Sequence, residues 1–315
     1  MGATSKTYPS EFRARMVDLV RSGRSPSDLA KEFEPSDQTI RNWVARADRE
    51  DGLSHVEREE LQHLRRENKK LRQELGRYNA ELPKSIPNTG GFHIAGRCIP
   101  ASHVGGDFYN YYLFPKGRVA GVLADVTGHA MEAAVPLLIF NGILESLLEQ
   151  YHPIEELFGR LSWLLYRSLP DRTFVCLAMG ELDLSTRRVR LCNSGCPYPY
   201  HFKAASGEIT EIQIDAYPLG VRPDTEYPVV ETQLQPGDRL FFCSDGIPEA
   251  ENASGEQFGF DRVSEMIRGD CEDGLSAEEA IDRVLEVVNT FRGDAPQGDD
   301  MTCVVVRVED DDNSV

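Results

Sequence analysis

No stretch of this chain approaches the ~18 consecutive apolar residues that a membrane-spanning helix needs. The opening MGATSKTYPSEF carries no apolar core of a secretory signal. The expectation from both absences is a soluble, cytoplasmic protein with no membrane contact. Cysteine is sparse as well. Cys98, Cys176, Cys192, Cys196, Cys243, Cys271 and Cys303 form no C-x-x-C pair. Cys192 and Cys196 are the nearest two, and no second thiol or imidazole pair at zinc-site spacing accompanies them. Several of the seven sit in apolar runs that read as strands, where a free thiol acts as a small hydrophobe; reduced thiols of a cytosolic protein are expected. A G-x-x-x-x-G-K-[ST] loop is also missing, which weakens kinase and NTPase readings.

Cationic excess is missing where most of the chain lies. Residues 81–315 hold 18 Lys and Arg against 38 Asp and Glu, a net of −20, whereas residues 1–80 hold 16 against 14, a net of +2. An acidic body does not suit non-specific contact with a phosphate backbone. It suits a protein that gathers carboxylates around divalent cations, although many of these acids are ordinary solvated surface.

Three segments follow one another. In residues 1–50, Pro9-Ser10-Glu11 opens a helical pattern with Phe12, Met16, Leu19 and Val20 on one face, and Gly23 ends it. Ser25-Pro26-Ser27 starts a short helix carrying Leu29, Ala30 and Phe33, which Glu34-Pro35 breaks. Ser36 is placed to cap a third helix that buries Ile40, Trp43 and Val44. Three short helices with a tight break before the last form a helix-turn-helix pattern. The last helix would expose Gln38, Thr39, Arg41, Asn42 and Arg46, side chains able to read base edges or grip phosphates. This stretch resembles the N-terminal helix-turn-helix of insertion-sequence transposases over about forty residues. That resemblance implies DNA contact; an interaction or sensor module that no longer touches DNA is the other reading, and the near-neutral charge keeps it open.

Residues 54–86 carry a heptad seam. Leu61, Asn68, Leu75 and Leu82 fall at a, and Leu64, Leu71 and Tyr78 at d. Glu60 and Glu67 at g would face Arg65 and Arg72 at e of a partner, and a lone Asn at a favours an in-register two-stranded coil. A parallel homodimeric coiled coil is expected, with a single amphipathic helix lying on the following domain as the alternative. Pro83 and Pro87 stop the helix.

Residues 88–310 mix strands and helices. Strand-like runs include Val119–Ala124, Phe174–Leu184, Val189–Cys192, Arg239–Cys243 and Met301–Val308; helical runs include 130–150, Ile154–Ser168, Phe260–Ile267 and Ala277–Phe291. Short turns such as Leu184-Ser185-Thr186-Arg187 join strands directly, so antiparallel sheets with helices packed outside are expected, an α+β fold.

Four acidic motifs lie far apart at strand ends or turns. They are Val104-Gly105-Gly106-Asp107-Phe108-Tyr109, Ala124-Asp125-Val126-Thr127-Gly128-His129, Ser244-Asp245-Gly246 and Gly298-Asp299-Asp300-Met301-Thr302. Glycine lets backbone approach a ligand closely, and hard oxygen donors are what Mg²⁺ and Mn²⁺ prefer. Any one Asp-Gly is a common turn; four together in this order are specific. They resemble the PPM (type-2C) metal-dependent phosphatases of the SpoIIE/RsbU-like branch, over about Ile94 to Val308. Asn193-Ser194-Gly195-Cys196-Pro197, Tyr217-Pro218-Leu219-Gly220 and Leu234-Gln235-Pro236-Gly237-Asp238 extend the likeness.

The resemblance implies two antiparallel β-sheets sandwiched between helices, and two Mn²⁺ or Mg²⁺ ions at one end. By carry-over, Asp125 bridges both ions, Asp107 and the carbonyl of Val126 hold one, and Asp245 and Asp299 hold the other. Asp300 is the neighbouring candidate, or the holder of a third ion or a water. A water shared by the ions would attack phosphoserine or phosphothreonine in line, so no cysteine is needed as nucleophile. The implied substrate is a phosphorylated regulatory protein, in this branch an anti-sigma-factor antagonist. Ala130 stands where the family often has Gly, and Cys196 where it often has His. Neither is a metal ligand by this carry-over, so altered packing and rate are expected, not an inactive enzyme. His129 is open to substrate contact, general-acid work or a turn role. The competing functions are a DNA-binding regulator with a catalytically silent phosphatase-like sensor, and a dimeric scaffold.

Overall fold

The computed structural model describes residues 8–50, 66, 70, 85–86, 91–102, 105–128, 131–150 and 152–309. The chain divides into two compact units, Met1–Leu75 and Gly76–Val315. The heptad residues Leu61, Leu64, Asn68, Leu71, Leu75, Tyr78 and Leu82 lie outside the described residues, as do His129 and Ala130.

The first unit holds three helices, α1 (Ser10–Arg21), α2 (Pro26–Glu32) and α3 (Asp37–Glu50). Their stops and starts follow the sequence. Gly23 takes φ 105 after α1. Ser25 caps α2, its hydroxyl accepting from Asp28 N at 3.1 Å, and Ser36 caps α3 by accepting from Thr39 N at 3.3 Å. Each cap satisfies an amide that the first helical turn leaves unpaired. Met16, Leu29 and Ile40, one from each helix, are fully buried.

The second unit is a two-sheet sandwich. Strands β1 (Ser85–Ile86), β2 (Phe92–Ile99), β7 (Tyr200–Lys203), β8 (Glu208–Glu211), β10 (Arg239–Cys243) and β11 (Met301–Val308) form one sheet in the order β1-β2-β11-β10-β7-β8. Strands β3 (Asp107–Phe114), β4 (Arg118–Val126), β5 (Val175–Asp183), β6 (Arg188–Ser194) and β9 (Val230–Gln233) form the other, in the order β3-β4-β5-β6-β9. Every named pairing is antiparallel. Strand β1 lies within the stretch read as linker and pairs with β2, Ser85 opposite Ala95.

Helices α4 (Met131–Leu148) and α5 (Ile154–Ser168) accompany the β3–β6 sheet; α6 (Phe260–Glu272) and α7 (Ala277–Arg292) accompany the β2–β11 sheet. The two-residue period of β11 shows why it reads as one apolar run. Val304, Val306 and Val308 enter the core between the sheets, while Met301, Cys303 and Val305 enter the core under α6 and α7. A strand covered on both faces has no polar side to alternate with. On the other sheet, Phe108 of β3 meets Phe140 of α4 edge-on at 6.1 Å. The turn at Leu184-Ser185-Thr186-Arg187 is held by Asp183, whose Oδ1 accepts from the amides of Ser185 and Thr186, each at 2.9 Å. Among the described residues no helix is long and apolar enough to cross a membrane.

Candidate metal centre

Sheet register brings the acids together in pairs. Asp107 opens β3 and stands directly opposite Asp125, near the end of β4. Like charges facing each other across an antiparallel pair repel. The second pair comes from the other sheet. Asp245 follows β10 by two residues and Asp299 precedes β11 by two, and Ser244 N donates to Thr302 O at 2.9 Å where the two strands meet. A Cβ on Gly246 would lie 2.0 Å from the carbonyl oxygen of Asp300, so only glycine lets these two turns stack.

The electrostatics report the convergence. Burial, then Asp125 and Asp300, push the Asp107 carboxyl well above the usual range. Burial, then Asp245, Asp299 and Asp300, raise Asp125 to about 7. Burial, Asp299 and Glu249 raise Asp245. Asp107, Asp125 and Asp245 are thus held up chiefly by desolvation and next by their neighbours' charge.

Asp300 does different work from its neighbour. Its Oδ1 accepts from Ala101 N at 2.8 Å, and its Oδ2 from Gly106 N at 2.7 Å and Asp107 N at 3.2 Å. It is 5% exposed and ties the connection that runs from β2 of one sheet to β3 of the other to the start of β11. A Cβ on Gly105 would meet this carboxylate at 1.9 Å, and one on Gly106 would meet Val126 O at 2.7 Å. That is the physical content of the Gly-Gly-Asp motif. Sequence reasoning had no means of seeing this clamp, because its three amides lie almost two hundred residues away along the chain.

Asp299 is exposed, and its Oδ1 accepts from Asp300 N at 2.8 Å. Gln297 braces the same loop, donating to Ile99 O and Asp299 O, each at 2.8 Å. Among the described residues no three His, Cys, Asp or Glu side chains are arranged as a ready-made metal site; the acids are gathered at one end but not closed on a common centre. The donor set nevertheless fits a hard divalent cation. All four candidates are carboxylates, and Asp107 Oδ2 is buried with no hydrogen-bond partner, the kind of acceptor that a cation satisfies.

The turn at Cys196 is structural. Asn193 brackets it, donating from Nδ2 to Cys196 O at 2.9 Å and accepting at Oδ1 from Cys196 N at 3.2 Å. Gly195 takes φ 88, with the Pro218 ring 2.8 Å from where a Cβ would stand. Burial pushes the Cys196 thiol up, and Cys176 to about 12, which disfavours thiolate chemistry at both. Asp238 of the Leu-Gln-Pro-Gly-Asp motif also serves the fold, accepting from Ala204 N at 2.9 Å and Gln235 N at 3.0 Å and facing His201 Nε2 at 3.0 Å.

In the first unit, α3 places Gln38, Arg41, Asn42 and Arg46 at the surface, with Thr39 half-buried. Gln38 Nε2 donates to Asn42 Oδ1 at 3.1 Å, and Arg41 forks onto Asp37 at 2.6 and 3.2 Å.

Two antiparallel sheets with helices outside and acids at one end define a PP2C-type fold. The structure is similar to the SiaA-PP2C domain of Pseudomonas aeruginosa, with a TM-score of 0.64 and 22% identity over 76% of this chain and 98% of that one. It is also similar to the PP2C phosphatase domain of SpoIIE from Bacillus subtilis, with a TM-score of 0.59 and 22% identity over 72% of this chain and 64% of that one. Residues 115–309 match the family described as Stage II sporulation protein E (SpoIIE), and the chain belongs to that family. Residues 3–76 match a family described as Transposase. Protein IcfG of Synechocystis sp. is 22% identical over 254 residues, which is 71% of this chain but 39% of that protein. The chain thus spans about two-fifths of that curated relative.

Proposed function

We propose that residues 88–310 form a phosphoprotein phosphatase that hydrolyses phosphoserine or phosphothreonine on a regulatory protein, an anti-sigma-factor antagonist. Asp107, Asp125, Asp245 and Asp299, with the carbonyl of Val126, would hold two Mn²⁺ or Mg²⁺ ions. The observation that carries this reading is the convergence of the Asp107–Asp125 pair with Asp245 and Asp299 at one end of the sandwich. When bound, such ions neutralise phosphoryl oxygens and lower the pKa of water. The chain's own part is positional. Asp300 fixes the loop that carries Asp107, and the glycines admit that contact.

Residues 54–86 are proposed to pair two chains in a parallel coiled coil. The exposed Gln38, Arg41, Asn42 and Arg46 side chains, with Thr39, support a DNA-contacting role for residues 1–50, alongside the phosphatase and not in place of it.

The test is hydrolysis of p-nitrophenyl phosphate by the full chain, with and without Mn²⁺, for the natural sequence and Asp125→Ala. Mn²⁺-dependent turnover that falls by about a thousandfold or more in the variant is expected, as for a group on which transition-state charge stabilisation depends. Absence of turnover in the natural chain at any Mn²⁺ concentration would favour a silent sensor attached to a DNA-binding module.

A further inference from the structure

Several guanidiniums of the sandwich are answered by carboxylates: Arg118 by Glu181, Arg160 by Glu156, Arg188 by Glu231, Arg262 by Glu256, and Arg283 by Asp270 and Asp273. Arg167 and Arg222 differ. Both are exposed and, among the described residues, neither has a carboxylate partner. Each lies over an aromatic ring instead, Arg167 at 4.7 Å from the centre of Trp163 and Arg222 at 4.1 Å from that of Tyr217. In a segment with 38 acids and 18 bases, two stacked and unanswered guanidiniums run against the prevailing charge.

The two stacks lie on elements that touch. Trp163, Tyr166 and Arg167 lie on α5; Tyr217 and Arg222 lie on the loop before β9. Gly220 N donates to Ser162 Oγ at 3.2 Å, and Ser162 Oγ donates to Arg222 O at 3.1 Å. A Cβ on Gly220 would stand 3.4 Å from Leu165 Cβ and 3.6 Å from Tyr166 N, so the loop rests on the helix. Trp163, Tyr166 and Tyr217 nonetheless remain 45, 51 and 50% exposed. Large rings grouped this way on a solvated surface mark an interaction site more often than a lone exposed ring does.

The surface is joined to the acidic end by backbone. Leu219 exchanges hydrogen bonds with Val175 at 3.0 and 2.8 Å, and Val175 pairs with Val126, the residue after Asp125. Tyr217 and Arg222 flank Leu219 by two and three residues. A ring beneath a guanidinium holds it by a cation–π contact and leaves its N–H edge free for a carboxylate or phosphate. Aromatic residues and Arg also supply most of the binding energy at protein interfaces.

We infer that the Trp163–Arg167 and Tyr217–Arg222 stacks dock the phosphoprotein substrate, with the rings taking apolar side chains of the substrate and the two arginines its acidic groups. This rests on the phosphatase reading above and assigns that site its means of holding a protein. A small phosphate ester reaches the acidic end without touching this surface.

The test compares two substrates of the full-length chain with Mn²⁺: p-nitrophenyl phosphate and phosphorylated casein, an acidic phosphoprotein. Arg167→Ala/Arg222→Ala and Trp163→Ala/Tyr217→Ala should each lower kcat/KM on phosphocasein by about tenfold, through KM, because they remove binding common to ground and transition states. Turnover of p-nitrophenyl phosphate should stay within about twofold. Arg167→Lys/Arg222→Lys should recover part of the loss, since a point charge replaces the fork incompletely. Equal losses on both substrates, no loss on either, or no action of the natural chain on phosphocasein would each overturn the docking surface. A shift of the variants' sedimentation toward a smaller species would overturn it as well, in favour of self-association through this face. If the natural chain does not hydrolyse p-nitrophenyl phosphate, it is the phosphatase reading that fails.

Discussion

The helical unit and the acidic end of the sandwich treat charge in opposite ways. On α3 polar groups are answered locally, the Arg41 charge by Asp37 one turn earlier and the Gln38 amide by Asn42. At the ends of β3, β4, β10 and β11, acid faces acid, and three of these carboxyls are pushed up by burial and by one another. A fold gains nothing in stability from gathering like charges. Such a cluster points to a ligand, whereas the α3 pairs fit a surface that is stable alone. The comparison has an internal exception in Asp300, an acid of the cluster that is fully used by the fold.

The largest expected effect separates Asp300 from its neighbours. Asp300→Ala leaves the amides of Ala101, Gly106 and Asp107 without their acceptor and should cost about 3 kcal/mol or more, lowering Tm by roughly 6 °C or more. Phosphatase activity should fall with it, since the loop carrying Asp107 loses its anchor. Asp107→Asn in metal-free protein should do the reverse and raise stability by about 1 kcal/mol, because a buried repelling charge is removed. Thermal unfolding of both variants in chelator decides the matter. Two losses of similar size would show that the cluster serves the fold throughout.

A smaller effect lies at Asp270, beneath the other side of the sandwich. It is 2% exposed, and burial raises its carboxyl to about 6, with Arg283 and Arg239 opposing the rise. The folded-state value is above the unfolded 3.8, so the group's contribution to stability is complete below that value and is lost as pH rises through 6. Asp270→Asn should therefore gain stability relative to the natural chain between pH 5 and pH 8, on the order of 1 kcal/mol after solvent screening. Melting curves at the two pH values measure it. An unchanged difference would mean that Arg283, 3.4 Å from Asp270 Oδ1, holds the carboxylate ionised throughout.

Some of this was legible in the sequence. The spans Ile154–Ser168, Arg239–Cys243 and Met301–Val308 are found at the expected limits, because strong periodicity or an unbroken apolar run leaves little choice of state. Strands β8 and β9 were not, since Glu208–Glu211 and Val230–Gln233 are short edge strands with a single apolar residue each, held by pairing with β7 and β6. Strand β3 carries rings on both faces and shows no alternation to read. The site acids stood out because each sits within three residues of a glycine at or near a strand end. The clamp made by Asp300 and the bracket made by Asp238 did not, because each depends on amides that only the folded chain brings near.

The smallest effect probes the other half of the comparison. The Arg41–Asp37 pair is exposed, and pairs of that kind are worth about 0.3–0.5 kcal/mol, so neither Arg41→Ala nor Asp37→Ala should change the melting of the helical unit by more than that. Their effects on DNA should differ in sign. If α3 lies against a duplex, Arg41→Ala removes one cationic contact and lowers the salt slope of binding by about 1. Asp37→Ala removes a repelling charge and releases the guanidinium it held, so affinity should rise. Gel shifts with generic duplex DNA at two salt concentrations measure both. Loss in both variants, or change in neither, would mean that α3 answers its charges because nothing else is meant to, and that the unit does not contact DNA through this face.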